Sequence, residues 1–273
     1  MQRFSRPISR RWIYEKLRIN TKSGVEAVKE VLQEGERIDY TPSKKPIIQH
    51  KNAFAFSIDS VLLAYFCSVP KTIGKIIDLG TGNGIIPLLL TERSRVPVTG
   101  IERQPELCDM AARTIDMNEA DGQVTVQQAD VRTIRSKYHG DQWSLVTCNP
   151  PYFDTGRLAM KNKEEKLANA RHEEHGSLEE FVRTAAFLAK QKGKVAMVLR
   201  PERLAELLSY YQKYRIEPKR MQFVHPKAER PANMVMVEGM KAGRPGLECL
   251  PPIVVYNENG QYTEEFRAYY GTK

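Results

Sequence analysis

The four residues Asn149-Pro150-Pro151-Tyr152 can present lone pairs and an aromatic face to a planar amine. They follow the apolar run Trp143 to Cys148, which reads as a buried strand. Two successive prolines lack the N–H needed to continue a parallel ladder, so the strand ends here and the chain leaves the sheet at its carboxyl edge. Open α/β sheets bind ligands at that edge. Asn149 brings an amide with one acceptor and one donor end. The prolines stiffen the backbone, so the carbonyl of Pro150 holds a fixed direction, and Tyr152 supplies a ring that can stack on a flat group. Such an acceptor pair with an aromatic lid suits the –NH2 of adenine or of a glutamine side chain. Taken alone, the motif also fits a plain strand-ending turn.

A second cluster lies upstream. Gly80-Thr81-Gly82-Asn83-Gly84 follows the short apolar strand Lys75 to Leu79, and the glycines let backbone pass close to a ligand at φ > 0. In a dinucleotide fold such a turn holds a pyrophosphate at a helix N-terminus. The acids point to a different ligand. Asp78 stands just before the turn, where it would repel a pyrophosphate but attract an ammonium. Glu102 ends the second strand and can hold two ribose hydroxyls, and Asp130 follows the third and can accept from an adenine amine. Each acid alone could be a helix cap. Together with the glycine turn, three acids after three consecutive strands suit a zwitterionic sulfonium, S-adenosylmethionine, better than a diphosphate.

These residues need a frame, and the hydrophobic pattern supplies one. From Lys75 the chain repeats strand, loop, helix: strands at Lys75 to Leu79, Val96 to Ile101, Gln123 to Gln128 and Trp143 to Cys148, helices at Ile85 to Glu92 and Pro105 to Met117. This alternation predicts parallel strands with crossover helices on both faces. Leu178 to Lys190 reads as an amphipathic helix closed by Gly193, Val195 to Leu199 as a strand, and Pro201 to about Tyr214 as another helix. Met221 to Val224 and Met234 to Val237 predict an antiparallel edge hairpin, and Pro252 to Tyr256 a last short strand before a turn at Asn257 to Gly260. Before the glycine turn, short β elements are expected at Glu36 to Tyr40 and Ile47 to Gln49. Ser57 or Asp59 can cap a helix carrying Val61, Leu62, Tyr65 and Phe66. The polar stretch from Asp154 to Gly176 shows no strong periodicity.

Composition bounds the reading. At 273 residues the chain can bury a full core, and neither a membrane-length apolar run nor a secretory leader stands out. The four cysteines are scattered with no CxxC, so neither zinc nor a disulfide framework is supported, and a reducing cytoplasm is the simplest setting. No metal is implied. The net charge of +9 suggests an anionic partner, but residues 1–24 carry six of those charges and the remainder is only mildly basic. Residues 1–35 read as a basic N-terminal extension, either a phosphate-touching arm or a disordered leader. Residues 36–273 read as one domain.

At this point the residues resemble a known group. Asp78-Leu79-Gly80-Thr81-Gly82-Asn83-Gly84 resembles motif I of class I S-adenosylmethionine-dependent methyltransferases, and Asn149-Pro150-Pro151-Tyr152 the signature of those that methylate amino groups. Phe56-Ser57-Ile58-Asp59 is similar to the segment such enzymes place over the cofactor. More closely, Glu36-Arg37-Ile38-Asp39 with Ile47-Ile48-Gln49, Arg171-His172-Glu173 and Pro251-Pro252-Ile253-Val254-Val255-Tyr256-Asn257 resemble the bacterial valine-tRNA adenine-N6 methyltransferase family, which modifies adenosine 37. The likeness runs from about residue 36 to the end. It implies a Rossmann-like α/β fold, mostly parallel with an antiparallel edge hairpin. It implies a cofactor site of Ser57, Asp59, Asp78, Gly80, Thr81, Gly82, Asn83, Gly84, Glu102, Arg103, Asp130, Val131 and Asn149. Asn149, Pro150 and Tyr152 are then the catalytic residues, and Pro151, Phe153, Arg171 and His172 face the substrate, a tRNA anticodon-loop adenosine. Lys227 and Arg230 can extend a basic track toward it. Three alternatives stay open: a protein glutamine methyltransferase, whose family carries a helical N-terminal module that the stretch before Glu36 is too short to form; a guanine-N2 enzyme, which commonly has Phe where Tyr152 stands; and a non-catalytic RNA-binding relative.

Overall fold

The structure, a computed structural model, describes residues 31–51, 58–151 and 176–270. A two-stranded antiparallel ribbon comes first, β1 (Glu36–Tyr40) against β2 (Pro46–His50). Then follow α1 (Ile58–Phe66), β3 (Ile76–Leu79), α2 (Ile85–Leu90), β4 (Val98–Glu102), α3 (Pro105–Met117), β5 (Val124–Gln128) and β6 (Trp143–Cys148). The rest is α4 (Leu178–Leu188), β7 (Ala189–Leu199), α5 (Leu204–Lys213), β8 (Ile216–His225), β9 (Met234–Lys241), the short β10 (Glu248–Cys249) and β11 (Ile253–Val254), and α6 (Glu264–Tyr270).

The main sheet runs β5-β4-β3-β6-β7-β9-β8. The first five strands are parallel, β9 is antiparallel to both neighbours, and β10 and β11 each pair in parallel with β8. This is the mostly parallel sheet with an antiparallel hairpin that the pattern predicts. From β3 the chain winds outward through β4 and β5, then returns to the other side of β3 to form β6. The order therefore reverses between β3 and β6, which opens a crevice at their carboxyl ends. Leu79 pairs with Cys148, so the glycine turn and Asn149 leave the sheet side by side.

Strand alternation divides the core between the two faces. Ile76, Val98, Leu145, Ala196 and Met236 pack with α1, α2 and α6 on one side; Ile77, Ile101, Val146, Val195 and Val237 pack with α4 and α5 on the other. Helix α2, Ile-Ile-Pro-Leu-Leu-Leu, is buried all round, which explains its lack of polar periodicity. Helix α4 begins with a full capping box: the Ser177 hydroxyl accepts from the Glu180 N–H and the Glu180 carboxylate from the Ser177 N–H.

The ribbon is latched to α3. Arg113 makes a two-pronged pair with Glu36, at 2.6 and 2.7 Å, and the Ile48 N–H donates to Thr114 Oγ1 at 3.2 Å. Val31 and Leu32 pack with Ile48, Met110 and Met117 on the same face.

Three elements differ from the sequence pattern. Gly193 does not close α4: that helix ends at Leu188, and Gly193 lies inside β7 at a bulge where Trp143 pairs with Ala189 but Leu145 with Lys194. A Cβ there would come within 2.8 Å of the Trp143 carbonyl, so the glycine permits close strand approach rather than a helix stop. Strands β8 and β9 run well beyond the apolar cores of the expected hairpin, because ladder bonds carry polar residues such as Glu217 and Lys241 along with them. Strand β10 and helix α6 have no clear signal; a two-residue strand has no period, and α6 is held mainly by the fully buried Phe266.

Candidate functional site

The carboxyl ends of β3, β4 and β6 carry the residues expected to do chemistry. Asp78 lies on β3 with no solvent exposure. Its Oδ1 accepts from Thr147 Oγ1 at 2.7 Å, across the Asp78–Thr147 strand pair, while Oδ2 is buried without a partner. Complete burial pushes its pKa up to about 7, against the hydrogen bond from Thr147.

The turn after it is tied to β4. The N–H groups of Gly80 and Thr81 both donate to the Ile101 carbonyl at 2.9 Å, and the Gly82 N–H donates to Glu102 Oε2 at 3.0 Å. Gly80, Gly82 and Gly84 all have positive φ, 72°, 56° and 85°. Gly84 is the N-cap of α2 and sits where an added Cβ would be 3.3 Å from that of Ala111. Gly82 has nothing within 4 Å of an added Cβ, so the turn's outer face is open to a close-lying ligand. Thr81 is buried, and its side chain lies against β4 where Gly100 leaves room. Asn83 turns away from this face: its Nδ2 donates to the Ile48 carbonyl at 3.1 Å and ties the turn to β2.

Glu102 is buried, and its carboxylate organises two segments at once. Oε2 holds Gly82, and Oε1 accepts from the N–H groups of Arg103 and Gln104, both at 2.9 Å. Four lone-pair sites less three bonds leave one for a hydroxyl. Asp130, after β5, is engaged by Arg132 through both oxygens at 2.6 to 3.0 Å. Partial burial pushes its carboxyl up, but the hydrogen bonds of Arg132 and the charge of Arg103 outweigh that and hold it below the usual range. Val131 is buried, and its carbonyl accepts from Thr184 Oγ1 at 2.9 Å.

At the end of β6, Asn149 is half-buried and Pro150 is buried. The Asn149 amide is anchored at one end: Nδ2 donates to Ser60 Oγ on α1 at 2.9 Å, and Oδ1 is buried with no partner. Asp59, also expected in the site, is the buried residue beside Ser60 on the same helix. Ser57, Tyr152, Phe153, Arg171 and His172 lie outside the described residues. Lys227 and Arg230 lie in the turn between β8 and β9. Strand β8 runs parallel to β6 and β7, so this turn is on the same sheet edge as Asn149. Sequence reading missed Ser60, Thr147 and Gly100. Strand parity alone could have paired Thr147 with Asp78; the other two depend on helix-to-strand and turn-to-strand contacts.

The donors present fit S-adenosylmethionine. An ammonium would relieve the unpartnered Asp78 oxygen, and the open glycine turn admits a close-lying chain. Among the described residues no group of three or more His, Cys, Asp or Glu side chains could hold a metal ion, and no helix is long and apolar enough to cross a membrane.

Comparison with known proteins agrees with this geometry. The chain is 28% identical over 233 residues to a tRNA1(Val) (adenine(37)-N6)-methyltransferase of Parabacteroides distasonis, covering 84% of this chain and 94% of that protein. It is 24% identical to the protein of the same name from Photobacterium profundum, covering 78% and 88%. Among solved structures, a predicted O-methyltransferase from Agrobacterium tumefaciens shares the fold, with a TM-score of 0.62 and 20% identity over 79% of this chain and 98% of that one. The profile of the methyltransferase small domain matches residues 47–208, from β2 into α5, and so takes in both the glycine turn and Asn149. A match over more than half of the sequence, on the strands that build the crevice, places the chain in the methyltransferase small domain family.

Proposed function

We propose that this methyltransferase moves a methyl group from S-adenosylmethionine to the exocyclic N6 amine of an adenosine in RNA, adenosine 37 of a valine tRNA. The observation that carries the acceptor class is the buried, unpartnered Oδ1 of Asn149 beside the glycine turn. The tRNA assignment draws on the names of the relatives.

When bound, S-adenosylmethionine supplies a methyl carbon made electrophilic by its sulfonium. Asp78 and the Gly80–Gly84 turn would hold its methionine portion, Glu102 its ribose, and Asp130 with Val131 its adenine. The chain's own task is to prepare the acceptor. The lone pair of adenine N6 is delocalised into the ring, which makes the amine a poor nucleophile. Oδ1 of Asn149 accepts one N–H and the Pro150 carbonyl the other, so the nitrogen is drawn toward a pyramidal shape and its lone pair leaves the ring plane. Tyr152 stacks on the base, which first leaves its own stack. The excess proton passes to solvent after transfer, so no strong base is required. Catalysis is then orientation and electrostatic positioning. The catalytic unit is the body from residue 36, working in the cytoplasm with tRNA as partner.

The test is nucleoside mass spectrometry after the protein is incubated with methyl-labelled S-adenosylmethionine and a set of unmodified tRNA transcripts. Label in N6-methyladenosine of valine tRNA is the expected result. Label on guanosine, or on no nucleoside, overturns the proposal.

A further inference from the structure

We infer that Ser60 is a positioning residue for the transfer: it fixes which end of the Asn149 amide meets the acceptor amine. The inference rests on the proposed methylation of an exocyclic amine and adds to it a residue outside the Asn-Pro-Pro-Tyr turn.

A carboxamide is nearly symmetric in shape and opposite in chemistry at its two ends, one accepting and the other donating. An amine to be activated through its N–H groups needs the oxygen. Turned by 180°, Asn149 would aim its own –NH2 at the substrate's –NH2, and the activating bond could not form. The Asn-Pro-Pro backbone fixes where the amide begins, but it does not choose between these two rotations.

Ser60 makes that choice. Helix α1 places its hydroxyl, itself only 7% exposed, 2.9 Å from Asn149 Nδ2 as the acceptor. The donor end is thereby occupied, and Oδ1 is left without a protein partner. A buried acceptor with no partner costs stability, so its presence opposite an anchored donor is the arrangement expected of a group held for a ligand. The two groups are 89 residues apart in sequence and meet because α1 packs over the carboxyl edge of the sheet.

Removing the anchor lets the amide turn freely. A hydrogen bond of this kind shifts a conformational equilibrium by about tenfold, so Ser60→Ala should lower kcat by roughly that factor. KM for tRNA and the affinity for S-adenosylhomocysteine should stay within about twofold, because only the acceptor geometry is lost. A purely structural role would not give the second half of the test. In an Asn149→Asp background either carboxylate oxygen can accept, whichever way the group turns. Adding Ser60→Ala there should then cost less than about twofold. Thermal unfolding of all four proteins separates a loss of fold from a loss of positioning.

Full kcat in Ser60→Ala, or an equal loss in the unaltered and the Asn149→Asp backgrounds, overturns the role of Ser60. Absence of methylated adenosine with the unaltered protein overturns instead the reading on which it rests.

Discussion

At the scale of single residues, the site is marked by acceptors that the protein leaves unpaired. Asn149 Oδ1 and Asp78 Oδ2 are both buried and both lack partners, on neighbouring strands. Buried polar atoms are nearly always satisfied, so two orphans at one sheet edge locate a ligand better than any cavity outline does. Asn149→Ala should lower methyl transfer by at least about 100-fold while S-adenosylhomocysteine affinity stays within a few-fold, since the amide serves the acceptor. Calorimetry beside a turnover assay checks both halves, and near-normal turnover would remove Asn149 from the mechanism. Asp78 gives a pH signature. Its pKa is raised from 3.8 to about 7 on folding, so the folded protein binds the proton more tightly than the unfolded chain. Its contribution to stability is therefore greatest at low pH and falls as pH rises from about 4 to about 7, then levels off. Asp78→Asn should remove that decline, seen as a flatter dependence of the urea midpoint on pH over the same interval.

At the scale of elements, Glu102 is the joint between a turn and a helix. One carboxylate accepts from Gly82 in the glycine turn and from Arg103 and Gln104 at the start of α3. It shapes the cofactor loop as well as offering a ribose contact, so its loss has two effects. Glu102→Ala should cost about 2–3 kcal/mol in stability, from three backbone N–H groups that lose a charged acceptor. It should also weaken S-adenosylhomocysteine binding by at least tenfold. Denaturant unfolding and calorimetry measure these separately, and unchanged affinity would mean that the ribose is held elsewhere. Asn83 shows a similar division of labour: it belongs to the loop by sequence, yet its amide serves the link to β2.

At the scale of the whole molecule, function follows from where the strand order reverses. Adjacent β3 and β6 bring a loop near residue 80 and a turn near residue 149 to one crevice. The Lys227–Arg230 turn on the same edge and an overall charge of +9 suit a polyanion approaching from that side. Binding of tRNA should weaken by at least roughly tenfold between about 50 and 200 mM salt, while S-adenosylhomocysteine binding should change little. Equal salt dependence of the two would argue against a phosphate-contacting edge.

The amino-acid sequence by itself determined the strand–turn–helix rhythm, the parallel sheet with its edge hairpin, and the chemistry of the glycine turn and the Asn-Pro-Pro break. Those signals are local: hydrophobic period, the missing N–H of proline and the open φ of glycine are written into a few consecutive residues. Tertiary structure alone decided how each site residue is used. It set Ser60 against Asn149, Thr147 against Asp78 and Arg132 against Asp130; it turned Asn83 toward β2 and made Gly193 a point of close strand approach. Several of these partners are distant in sequence, and even the near ones depend on side-chain rotation. The hydrogen bond that orients a buried amide exists only once packing has removed water from around it.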